Sequence, residues 1–96
     1  MSGFAIFNID IKKPEEYKEY VEKVKPIAEK FGGEYLTRGG ELHIEQNELW
    51  EPTRIVIVKF PSMSDAKKFH DSSEYGPVKS IRLGASKATL IIVEGV

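Results

Sequence analysis

Three places in the chain combine residue types that could do chemistry. The first is Arg38-Gly39-Gly40, inside the stretch YLTRGG. A guanidinium presents a rigid fork of donors that grips a carboxylate, and flanking glycines let a ligand or a second backbone approach closely. The same run also fits a surface arginine beside a β-bulge on an edge strand, or a salt bridge between subunits. The second place is Tyr75, Val78 and Arg82, spaced to share one face of a helix. Val78 has to face inward, so Tyr75 and Arg82 lean inward with it. A cation on an apolar face calls for a carboxylate, the protein's own or a ligand's; otherwise its stem packs and its head reaches water. The third is His70, the catalytic candidate. A single imidazole is a general base near neutral pH, and His70 sits in the segment that would wall a helix–sheet cleft. Asn8 joins these as a substrate-binding candidate. It shares a strand face with Phe4 and Ile6, so it either points into a cavity or marks where that strand meets solvent.

Other chemistries find no support in the residues. There is no cysteine, which removes disulfides, thiolate catalysis and sulfur-ligated zinc, and fits a reducing cytoplasm. The two histidines, His43 and His70, lack the spacing of a metal site. The glycine pairs lack phosphate-loop spacing, and no nucleophile elbow surrounds any serine. No cofactor is therefore expected. Fourteen basic against fifteen acidic side chains leave a net charge of −1, without the basic excess that nucleic-acid binding needs. No segment has the length of a membrane span, and MSGFAIFNID runs into a strand pattern without a basic leader.

The elements that must position these residues follow from periodicity. With 96 residues one domain is expected, residues 1–96. GFAIFNIDI (3–11) reads as a strand. A helix is expected from Pro14 to Phe31, with Tyr17, Tyr20, Val21, Val24, Ile27, Ala28 and Phe31 as its apolar stripe and Gly32-Gly33 as its end. Pro26 lies inside it and should bend it. A second strand is expected over 34–45, broken by a bulge at Gly39-Gly40, with Leu42 and Ile44 pointing inward. QNELWEP (46–52) is a loop, and Trp50 within it suits a dimer or loop anchor. TRIVIVKF (53–60) is the third strand. Ser62 and Asp65 suit a helix cap, with helix over 63–70, a break at 71–77 and more helix to about Leu83. KATLIIVE (87–94) is the last strand. The order β-α-β-β-α-β is the ferredoxin-like pattern, an α+β fold whose antiparallel sheet carries its helices on one face.

Apolar residues occupy both faces of these strands. Val56, Val58 and Phe60 oppose Ile55 and Ile57; Phe4 and Ile6 oppose Ala5, Phe7 and Ile9. Helices on one face leave the other as an apolar patch larger than monomers tolerate. A second copy packed sheet to sheet covers it, so a homodimer is expected.

The pieces PEEYKEYVEKVKPIAEKFGGEYLTRGG, WEPTRIVIVKFPS, SSEYGPVKSIR and LIIVEGV resemble the domain of unknown function 1330 family, within the dimeric α+β barrel superfamily. The resemblance spans nearly the whole chain. It implies ferredoxin-like protomers whose sheets pair into a barrel, with small molecules bound between sheet and helices. Relatives in that superfamily include cofactor-independent monooxygenases, lactone isomerases and haem-binding proteins. Two readings remain open. One is a site for a small acidic or aromatic metabolite lined by Arg38, His70, Tyr75 and Arg82, with or without turnover. The other is a non-enzymatic dimer whose cleft is filled by its own side chains. An open cleft with convergent polar groups marks the first; Arg38 and Arg82 tied to protein carboxylates mark the second.

Overall fold

Strand β1 (Gly3–Ile11) is the axis of the computed structural model, which describes residues 1–96. It pairs antiparallel on one side with β4 (Ser86–Glu94) and on the other with β3 (Ile55–Phe60). Strand β2 (Glu34–Arg38) pairs antiparallel with β3, giving the sheet order β2-β3-β1-β4. The register stacks Ala5 between Val58 and Ile92, and Phe7 between Val56 and Leu90. Those positions form the inner face, under helices α1 (Pro14–Lys30), α2 (Met63–Asp71) and α3 (Tyr75–Ala85).

Helix α1 forms because its apolar residues recur at helical spacing. Tyr17, Tyr20, Val24 and Ala28 are buried. Pro14 and the acidic Glu15 and Glu16 suit its first turn, and Glu19 pairs with Lys23 at 2.7 Å. The helix continues through Pro26 to Lys30. It ends in a Schellman motif: Gly32 N–H donates to the Glu29 carbonyl and Gly33 N–H to that of Ala28, with Gly32 at φ 85°. At α2 the expected cap is present, the Ser62 hydroxyl accepting from the Asp65 N–H at 3.1 Å and donating to its carboxylate at 2.9 Å. Phe60, Phe69 and Tyr75 stack in the core, with ring centroids 5.5 and 4.4 Å apart.

Strand β2 departs from the expected 34–45. It stops at Arg38, and residues 41–51 are exposed and form no strand. Leu42 and Ile44 therefore do not point inward. The pattern ELHIE alternates as a strand should, but alternation alone supplies no ladder. Gly39, at φ 74°, bonds back to the Ile55 carbonyl and turns the chain off the sheet. The bulge also lies earlier than the glycine pair. Tyr35 sits opposite Val58 and Thr37 opposite Ile57, leaving Leu36 as the extra, half-exposed residue. This slip rotates Arg38 onto the inner face, opposite Val56. Without it, Tyr35 and Arg38 would face opposite ways.

The outer face carries Phe4, Ile6, Ile57, Ile91 and Val93, with Ile6 flanked by Ile57 and Ile91. Ile91 and Val93 are 49% and 44% exposed. No helix is long and apolar enough to cross a membrane.

Candidate functional site

The chain has three arginines, Arg38, Arg54 and Arg82, and four tyrosines, Tyr17, Tyr20, Tyr35 and Tyr75. All seven gather between the helices and the inner face of the sheet. Ion pairs in this structure are made by lysines and His43, at the surface. No arginine joins one. The cations of the inner layer thus lack a carboxylate counterpart.

On the α1 side, an Arg38 Nη2–H donates to the Val21 carbonyl, and the guanidinium lies 4.8 Å from the Tyr35 ring centre. The Arg54 guanidinium lies 5.8 Å from the Tyr17 ring centre. Its Nε–H is sealed from solvent and has no acceptor. Gly39 makes room for it: a side-chain carbon there would sit 2.1 Å from Arg54 Nη1. Both arginines, half-buried, line a narrow cleft with Tyr17, Tyr20, Tyr35 and Phe7, and the free space in it is about 10 Å3.

The α3 side is open. Arg82 is only 5% exposed, and its Nε–H approaches the Tyr75 hydroxyl at 3.4 Å. The Tyr75 and Tyr20 hydroxyls share a hydrogen bond of 2.9 Å. The Arg82 guanidinium stands 5.6 Å from the Phe7 ring centre. In front of it runs a groove of about 450 Å3, walled by His70, Lys79 and Arg82 and floored by Ala88, Leu90 and Ile92 of β4. That volume falls within the range of small-molecule sites. The ring of His70 packs 5.9 Å from that of Tyr75, and its Nδ1 is buried without a partner.

Protonation follows from burial and these charges. Burial lowers the His70 pKa, Lys79 and Arg82 lower it further, and Asp71 opposes them. The imidazole is therefore neutral at pH 7 and able to accept a proton. Burial raises the Tyr20 pKa, with Tyr75 adding to the shift, and pushes Tyr35 up to about 12 against the pull of Arg38. Tyr17 is also raised by burial, although Arg54, Arg82 and Arg38 all act on it to lower its pKa. These three phenols stay neutral and offer O–H groups, so they do not neutralise the arginines.

The structure thus brings His70 and Arg82 to the groove, with Tyr75 fully buried behind them. It places Arg38, half-buried, in the narrow cleft on the α1 side. Asn8 lies on the outer side of the sheet. Its amide donates to the Glu51 carbonyl at 3.0 Å, and its carbonyl accepts from the Thr53 N–H at 2.9 Å and hydroxyl at 3.1 Å. It fastens the 51–53 segment to β1. His43 is exposed and bonds Glu45 at 2.8 Å. Lys79, Arg54 and Tyr17 belong to this layer as well, outside any expected site. The signals were present: Lys79 follows Tyr75 by one helical turn, and Arg54 shares strand parity with Val56, Val58 and Phe60.

The sequence matches the family described as domain of unknown function 1330 over residues 2–96. No curated protein matches it. Among solved structures, a protein of unknown function from Rhodopseudomonas palustris is 17% identical, with a TM-score of 0.78 over 99% of this chain and 82% of that one. A dimeric ferredoxin-like protein of unknown function from Jannaschia sp. CCS1 is 9% identical, with a TM-score of 0.76 over 99% and 100%. SnoaB, a cofactor-independent oxygenase from Streptomyces nogalater, is 8% identical, with a TM-score of 0.61 over 99% and 91%. At these identities the likeness is one of fold.

Proposed function

The chain belongs to the domain of unknown function 1330 family, and on that premise we propose that it is a homodimer binding one small acidic or aromatic compound per protomer, in the groove between α3 and β4. One observation carries the reading. Arg82 is a buried cation with no protein carboxylate, and it borders an open groove. A guanidinium removed from water needs an anion to offset its desolvation. A ligand carboxylate or phenolate against Arg82 supplies it, with Lys79 adding charge and Leu90 and Ile92 taking the apolar part.

The same groove supports a chemical step without a cofactor. Neutral His70 can take a proton from an acidic O–H or C–H of the bound compound, while Arg82 holds the anion that forms. A protein of this fold is described as a cofactor-independent oxygenase, which is compatible with that chemistry. On the α1 side the cleft is filled by the protein's own side chains, so the ligand reading rests on the α3 side. There Tyr75 positions Arg82. Arg38 and Asn8 stay outside the groove.

The dimer reading rests on the outer face of the sheet and on the exposed arm at 41–51. Leu42, Ile44, Leu49 and Trp50 are exposed on that arm, and together with Ile91 and Val93 they exceed what a lone protomer should show. A dimeric neighbour of the same fold points the same way. Sedimentation equilibrium of wild type against Ile91→Lys tests it. A dimer that dissociates in the variant supports the interface; a wild-type monomer at micromolar concentration removes it. Ligand binding is tested by titrating benzoate and its hydroxylated analogues against the protein by NMR. Shifts grouped on α3 and β4 support the groove, and an absence of shifts at millimolar ligand rejects it.

A further inference from the structure

Resting on Arg82 as the seat of one acid group, we propose that the α3 groove selects compounds with two carboxylates, and that Lys79 is the residue that selects them. Lys79 and Arg82 wall the same groove, one helical turn apart on one face of α3. Neither forms an ion pair with the protein. No acidic side chain lines the groove. Asp71, next to His70 in the chain, is exposed and pairs with neither cation, and Glu74 is taken by Lys30 at 2.7 Å. The groove therefore presents two positive charges above the apolar side chains of Leu90 and Ile92.

The two cations differ in kind. Arg82 is 5% exposed, so a first carboxylate offsets the cost of taking its guanidinium out of water. Lys79 is half-buried at the rim and keeps water around its ammonium while the groove is empty. Its charge requires no partner, but it rewards one. A compound with one carboxylate satisfies Arg82 and leaves Lys79 to water. A compound with two reaches both. Residues three apart on a helix have Cβ atoms about 5–6 Å apart, and two carboxylates on one small ring span such a gap. Lys79 thus sets the preference between acids, whereas Arg82 sets whether an acid binds at all.

Isothermal titration of the full chain, at constant ionic strength and with all carboxyls ionised, compares benzoate with phthalate and isophthalate. The better dicarboxylate should bind at least about threefold tighter than benzoate, the scale of one partly exposed ion pair. That preference should vanish in Lys79→Met and persist in Lys79→Arg, which keeps the charge. Lys79 stands at a rim, so neither change should disturb the core. Benzoate binding with a smaller preference in wild type overturns selection by Lys79 and leaves Arg82 as the seat of an acid. A preference that survives Lys79→Met belongs to the general field of the protein, and one lost equally in both variants marks a damaged groove; either overturns it. If none of the three compounds binds, the Arg82 seat fails, and selection by Lys79 fails with it.

Discussion

On the α1 side of the helix layer, Arg38 and Arg54 are boxed in by tyrosines and a backbone carbonyl, with room left for about one water-sized sphere. On the α3 side, Arg82 has the same kind of aromatic neighbours but looks onto a groove of about 450 Å3. The sheet beneath is continuous, so the difference lies in what covers it. Helix α1 lays Tyr17, Tyr20 and Val21 over β2 and β3 and closes the space above them. Above the edge strand β4, the helices bring only His70, Lys79, Arg82 and Leu83 to the groove, and long polar side chains do not fill a cleft. Two similar sets of residues thus end as one packed layer and one open site.

The largest effect should come from breaking the packed side. Tyr20→Ala removes a buried ring and should cost about 3–5 kcal/mol in urea unfolding. Leu83→Ala at the groove, where the side chain is 61% exposed, should stay within about 0.5 kcal/mol. Similar costs for both would erase the contrast. Next is the bridge between the sides. Tyr75→Phe deprives Tyr20 of its hydroxyl partner and Arg82 Nε of its acceptor. We expect a loss of about 1–3 kcal/mol, from the groups left unpaired. It should also weaken acid binding, because Arg82 loses its tether; unchanged affinity would show that Arg82 positions itself.

Gly39→Ala should cost about 1–2 kcal/mol from the left-handed backbone alone, plus displacement of Arg54. A variant as stable as wild type would mean that the turn and the Arg54 seat are not coupled. The smallest effect is the pH response of His70. Its folded pKa lies below the ordinary 6.5. The unfolded chain therefore takes up this proton first as pH falls. The stability contribution is complete above about pH 6.5 and declines as pH drops from there toward the lowered folded value. His70→Gln should lose that part of the slope below about pH 6.5 in urea midpoints. An unchanged slope would place the titrating group elsewhere.

Much of the frame was legible in the sequence because its rules are local. The α1 stripe, the Ser62–Asp65 cap and the inward trio Tyr75, Val78 and Arg82 each follow from spacing within one element. The two apolar faces of the sheet were legible from parity along β1 and β3. What escaped was non-local. ELHIE carries a strand's alternation, yet whether it pairs depends on an edge that the protomer does not offer it. The glycine pair suggests a bulge at 39–40, whereas register against β3 puts it at Leu36, and that shift is what turns Arg38 inward. The lack of carboxylates near the arginines could not be read from a chain with fifteen acidic residues, all of which had to be located first.

The central claim is that the α3 groove holds an acid on Arg82. Isothermal titration of a small aromatic carboxylate into wild type and Arg82→Met, with folding of both checked by circular dichroism, tests it directly. We expect binding to wild type and at least tenfold weaker binding to the variant, with Arg38→Met close to wild type. Equal affinity in wild type and Arg82→Met would contradict it.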